Sequence, residues 1–117
     1  MPIAVELFPI TDVPGWRQFA QEISSGERSA AHAEMLRRFG VTREHIFHQS
    51  TPDGDVMVLV WEGVEQDEAA EGLANIVQNP QSEHEQYLVS HVIPNLHGVD
   101  PTAGPPPRIE QVAVIET

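Results

Sequence analysis

The chain has 117 residues and a formal net charge of −12, with 18 acidic residues against six arginines and no lysine. This balance repels phosphate backbones and anionic lipid, so neither nucleic acid nor a membrane surface is expected as a partner. The chain contains no cysteine, which excludes disulfides, thiolate metal sites and cysteine nucleophiles. No apolar run approaches the ~20 residues of a membrane span, and we expect one cytoplasmic domain over residues 1–117.

The first part of the chain predicts a strand followed by a broken helical arm. Ile3 to Phe8 is typical of a strand, and Asp12 with Pro14 is typical of a helix start. Apolar residues recur at helical spacing over 14–39, with an interruption near the middle. Gly40 then provides a helix end.

A β-hairpin is the clearest local prediction. The segments Glu44 to Ser50 and Val56 to Glu62 read as strands joined by residues 51–55. We favour a three-residue loop, Pro52 to Gly54, because proline suits the first corner of a type I turn. In that register, residues whose numbers add up to 106 face each other, so His45, Phe47 and Gln49 share a face with Met57, Leu59 and Trp61. A two-residue loop would exchange the faces.

Two helices and a last strand complete the predicted fold. Asp67 to Gln78 is amphipathic, and Ser82 to Glu85 fits a capping box for a helix that Pro94 ends or kinks. Residues 98–108 are rich in proline and glycine, which indicates an extended connection. Ile109 to Glu116 alternates as a strand does. The order predicts an α+β, ferredoxin-like βαββαβ fold with an antiparallel sheet.

The second predicted hairpin strand indicates a homodimer. In a ferredoxin-like topology, both helical layers cover the same face of the sheet. The run Val56 to Trp61 is nevertheless apolar on both faces, so the other face also needs cover. A second copy of the chain is the simplest cover.

This element order, the two-sided central strand and the proline-rich lead into a last strand resemble the dimeric α/β-barrel superfamily, over nearly the whole chain. The phrases Thr51-Pro52-Asp53-Gly54-Asp55 and His97-Gly98-Val99-Asp100, followed by Gly104-Pro105-Pro106-Pro107, are similar to a little-described family of short bacterial proteins. The resemblance implies a dimeric barrel with an internal cavity. Its haem-degrading members share a first-strand Asn that the strand Ile3 to Phe8 lacks, so it does not imply haem.

The predicted site lies inside this barrel. His45 is the candidate general base, because an unperturbed imidazole titrates near pH ~6.5. In the alternative interpretation, His45 and Gln49 only hydrogen-bond across the dimer. A mostly apolar wall with a few polar groups is typical of small-molecule sites. The predicted ligand-binding residues are Glu6, Phe8, Phe47, Gln49, Leu59 and Trp61.

The remaining histidine spacings argue against a metal site. His45 and His48 are three apart on a strand and therefore point to opposite faces. His84 and His91 are two helical turns apart, too far for one ion, and we expect both at the surface or at an interface. No metal and no cofactor is predicted.

Two classes of function remain open. One is a cofactor-independent enzyme, an oxygenase or isomerase of an aromatic or polyketide-like metabolite. The other is a non-catalytic homodimeric binding or assembly module, which the lack of nucleophile, cofactor-loop and metal motifs favours. The sequence does not decide between them.

Overall fold

The computed structural model describes residues 2–104 and 107–117 and contains an antiparallel sheet with helices on one face, an α+β fold as predicted. No helix in this part of the chain is long and apolar enough to cross a membrane. The elements are β1 (Ile3–Ile10), α1 (Val13–Ser24), α2 (Ser29–Arg38), β2 (Arg43–Thr51), β3 (Gly54–Glu62), α3 (Gln66–Gln78), α4 (Glu83–Tyr87) and a π-helical segment (Leu88–Leu96).

The three strands lie in the order β1-β3-β2, so β3 is central and apolar on both sides. One face of the sheet carries the helices, and its alternate residues are buried. The indole nitrogen of Trp16 on α1, for example, donates to the sulfur of Met57 on β3 over 3.2 Å. The core consists of Ala4, Ile10, Trp16, Phe19, Ile23, Val41, Met57, Leu59, Trp61, Val64, Ala69, Val92 and Leu96.

The other face of the sheet has no helix over it, and we call it the open face. Leu7 on β1 is 48% exposed and Phe47 on β2 is 54% exposed, although both lie at the middle of their strands, opposite Val58 of the central strand. Its central residues on β3 are three valines, which remain half-buried between their neighbours. The open face comprises Ile3, Val5, Leu7, Arg43, His45, Phe47, Gln49, Val56, Val58, Val60 and Glu62.

The predicted hairpin exists, but its predicted register is wrong. The loop has two residues, Pro52 and Asp53, and the paired residue numbers add up to 105. The Thr51 hydroxyl closes the turn, donating to the Gly54 carbonyl over 2.6 Å and accepting from the Asp53 amide over 3.2 Å. Gly54 has a φ of 136°, so it begins the next strand in a conformation that other residues avoid.

The helices begin where the sequence predicts. Asp12 accepts from the Gly15 amide at the start of α1, and Ser82 accepts from the Glu85 amide at the start of α4. Pro94 does not end the last helix: it lies inside the π-helical segment, which reaches Leu96.

The predicted last strand, Ile109 to Glu116, is absent from this sheet. Residues 107–117 have no regular structure, and Val112 and Ile115 are 93% and 86% exposed. A strand needs a neighbouring edge, and the near edge of β1 is occupied at Val5 by the side chain of Gln66. Part of the predicted connection 98–108, at positions 105 and 106, lies outside the described residues.

Candidate functional site

The structure divides the predicted site between the two faces of the sheet. A shift of the pairing by one residue moves every side chain of one strand to the other face relative to its partner. The open face keeps His45, Phe47 and Gln49, and places them beside Val60, Val58 and Val56. The helix-covered face holds Glu6, Phe8, Leu59 and Trp61.

On the open face, His45 forms a short hydrogen bond with Glu62, which the sequence analysis did not identify. The distance from His45 Nε2 to Glu62 Oε2 is 2.6 Å. This bond, followed by the charge of Arg43 directly opposite Glu62, holds the pKa of the Glu62 carboxyl below its usual range. An ionised carboxylate only accepts, so Nε2 carries the proton. In the neutral form of the imidazole, the lone pair is then on Nδ1.

Apolar groups surround this pair. The ring of Phe47 is stacked with that of His45, with centroids 6.4 Å apart and planes at 11°. Val58 and Val60 lie beside them on β3. An oriented imidazole next to a flat apolar wall is suited to taking a proton from a bound organic molecule.

Glu6 has a structural environment instead. It is 5% exposed and packs on the helix-covered face opposite Leu59. Burial raises the pKa of its carboxyl, while the Gln66 side-chain amide donates to it over 2.9 Å and partly offsets this effect. Glu6 therefore links β1 to the start of α3 and does not face the His45 side of the sheet.

Trp61 belongs to a buried chain of polar groups that the sequence analysis missed. Its indole N–H donates to Glu44 over 2.6 Å, and His32 Nε2 lies 2.8 Å from the other oxygen of that carboxylate. His32 Nδ1 lies 2.9 Å from His84 Nε2, and Arg28 reaches His84 Nδ1 over 3.4 Å. We call these five residues the polar chain.

Arg28 fixes the direction of every hydrogen bond in the polar chain. Arginine only donates, so Nδ1 of His84 accepts and its Nε2 carries the proton. His32 then accepts at Nδ1 and donates from Nε2 to Glu44. His84 is neutral in this arrangement. Burial, and next the neighbouring His32 and Arg28, lower the pKa of His84 to about 4.

The expectation that His84 lies at the surface or at an interface is therefore wrong, because the residue is only 4% exposed within the single chain. A signal for His32 was present in the sequence, since it lies at helical spacing from the core-facing residues Met35 and Phe39. His91 is half-buried and stacks on Tyr87 at 4.9 Å.

The other polar groups offer less. His48 lies on the face opposite His45, as predicted, between Arg17 and Asp55. A cleft of about 490 Å³ between α2 and α4 contains Arg38, but this residue is already paired with the buried Glu85 at 2.6 Å. Among the described residues, no group of three or more His, Asp or Glu side chains is placed to hold a metal ion.

Comparisons of the chain with protein-family models, with curated proteins and with solved structures gave no match. The geometry of the open face is thus the basis for a functional proposal. Its two defining features are an uncovered apolar surface and the hydrogen-bonded pair of His45 and Glu62.

Proposed function

We propose that the chain forms a homodimer of the dimeric α/β-barrel kind, whose open faces enclose a small apolar or aromatic molecule, and that His45 acts there as a general base. The single observation that supports this most is the 2.6 Å bond between His45 and Glu62 on an uncovered apolar face. The proposed activity is the cofactor-independent isomerisation or oxygenation of an aromatic or polyketide-like metabolite.

The dimer is proposed because the open face is costly to leave in water. Ile3, Leu7 and Phe47 are 38%, 48% and 54% exposed, and they flank the valines of β3. Burying a side chain of this size contributes about 1.5 to 3 kcal/mol, so covering the face supports association of two copies. Two symmetry-related copies bury the same surface on each partner.

Glu62 is proposed as the positioning residue for His45. As His45 Nδ1 takes a proton, the imidazole becomes a cation, and the carboxylate at Nε2 stabilises it and holds its orientation. Isomerisation needs nothing else, because the same nitrogen returns the proton to another atom of the substrate. Oxygenation additionally needs molecular oxygen, which would accept electrons from the deprotonated substrate, leave one oxygen atom bonded to its carbon and release the other as water.

The non-catalytic alternative is supported by the composition of β3 on the open face. Val56, Val58 and Val60 form a flat stripe of β-branched side chains, which suits direct packing of one sheet on another. In that case the two open faces leave no cavity, and His45 with Glu62 only contributes a polar contact within the interface.

The test begins with light scattering and native mass spectrometry of the purified protein, to establish the dimer and to identify any bound molecule. Turnover of that molecule is then compared for the wild type, His45→Gln, Glu62→Gln and the control His91→Gln. We expect His45→Gln to reduce kcat by about 100-fold or more and Glu62→Gln by about 10-fold or more, since positioned general bases contribute on the order of 10² to 10⁴.

His91 is a suitable control because it is a partly exposed helical histidine on the other side of the molecule, whereas His84 is buried. A monomer at micromolar concentration would contradict the proposal. Turnover that His45→Gln leaves unchanged would show that His45 is not the general base. A dimer that neither binds nor turns over a small molecule would leave only the assembly function.

A further inference from the structure

In the described part of the chain, the C-terminal segment has the sequence pattern of a strand but pairs with none, and β2 has an edge that no strand covers. Residues 109–116 have the sequence pattern of a strand but are mostly exposed, while β2 forms an edge of the sheet. We infer that the segment 109–116 of one copy adds as a strand to the outer edge of β2 in a second copy. This inference rests on the homodimer proposed above and names a further contact by which it is held.

The path of the chain carries the segment past its own sheet. Leu96 accepts from the Thr11 amide, and Gly98 lies against the Thr11 side chain, beyond the Ile10 end of β1. Residues 108–111 instead line a cleft of about 310 Å³ with Ile3, at the other end of the same strand. An antiparallel partner of β1 would have to begin beside Ile10 and run towards Ile3. Residues 109–116 instead begin beside Ile3, at the wrong end for this pairing.

The free edge of β1 is also partly closed. Both backbone groups of Val5 are bonded to the Gln66 amide, whose oxygen accepts over 2.9 Å and whose nitrogen donates over 2.8 Å. This side chain takes the place of a neighbouring peptide group. Pro9 has no N–H to offer further along the strand.

The outer edge of β2 has no such protection. Among the described residues, no side chain from another element bonds to the backbone of residues 43–50, and no strand lies beside it. An exposed edge of this kind is a template for strand addition, in which the main chain supplies affinity and alternate side chains supply specificity.

The apolar surface and one exposed charge favour β2 as the acceptor. The segment carries Glu110 and Glu116, and the side chain of Arg43 on the open face of β2 is 69% exposed, although it lies 3.8 Å from Glu62. Glu44, the other charge of β2 at this end, points to the helix-covered face. In a strand, Val112 and Val114 would lie on the same side of the segment and would extend the apolar surface around Phe47. The second copy would then contribute apolar side chains to the edge of the His45 site.

The chain contains no cysteine, so single thiols can be introduced without interference. A chain with Val112→Cys or Val114→Cys is mixed with a tagged chain that carries Phe47→Cys or Gln49→Cys. The mixture is treated with a short bis-maleimide, which still links the two thiols if the strands pair one residue out of register. The comparison is a tagged chain with Leu7→Cys on β1. We expect cross-linked heterodimers with β2 at a yield at least 10-fold above that with Leu7.

A second arm uses a chain that ends at residue 107. Its dimer should dissociate at a concentration at least 10-fold higher than that of the full chain, as measured by analytical ultracentrifugation. Preferred cross-linking to Leu7, or an unchanged dissociation constant, would overturn the inference. If either of these results is obtained while the full chain is dimeric and His45→Gln loses turnover, the proposed function stands without the addition of segment 109–116 to β2. A monomeric full chain contradicts both the proposed function and this inference.

Discussion

The polar chain makes the stability of this protein depend on pH in a window set by His84. In the folded state, burial and the neighbouring His32 and Arg28 lower the pKa of His84 to about 4, whereas an unfolded histidine titrates near 6.5. Between these values the unfolded chain binds a proton that the folded chain does not. Stability is therefore full above about pH 6.5 and decreases as the pH falls towards 4.

The size of the effect follows from the two pKa values. Linkage gives a loss of about 2 kcal/mol at pH 5 and about 3 kcal/mol at pH 4, relative to pH 8. Protonation of His84 would also place two hydrogen-bond donors against each other where its Nδ1 meets Arg28. It would add a second positive charge beside the Arg28 guanidinium, which stacks on Tyr87 at 3.7 Å. Glu44 and Glu85 are the nearby anions that oppose this effect.

The assay is urea unfolding at pH 8, 6 and 5 for the wild type and for His84→Gln. Glutamine offers one acceptor and one donor but does not titrate, so the variant should lose about 2 kcal/mol less than the wild type between pH 8 and 5. His91→Gln, on the same helical stretch, should behave as the wild type. Equal losses for wild type and His84→Gln would show that His84 is not held neutral, and would refute the assigned hydrogen-bond directions.

Two further predictions concern stability at neutral pH. Arg38→Ala leaves the fully buried Glu85 carboxylate without its 2.6 Å partner and should destabilise the protein by about 2 kcal/mol, whereas the exposed Arg37→Ala should change little; equal unfolding midpoints would contradict the importance of this pair. Gly98→Ala should lower the free energy of unfolding by more than the roughly 1 kcal/mol expected for Gly104→Ala. Gly98 has a φ of 64°, and Thr11 would lie only 2.6 Å from the added methyl group, whereas Gly104 faces open space. Calorimetry of the two variants compares them directly.

The sequence by itself determined the features that depend on local interactions. The capping residue Asp12, the apolar run along β3 and the helical spacing on α3 each belong to one contiguous segment, and the structure has these elements where they were predicted. The period of two in a strand also placed His45, Phe47 and Gln49 on one face, independently of their partners across the sheet.

Only the tertiary structure decided which groups meet. The hairpin register depended on one residue of loop length, and that residue moved Leu59 and Trp61 to the face opposite His45 and brought Glu62 to it instead. The hydrogen bond that orients the buried His84 likewise comes from Arg28, a residue 56 positions away in the chain. Residues 109–116 have the pattern of a strand, but a strand forms only where another strand offers a free edge, and no local pattern contains that information.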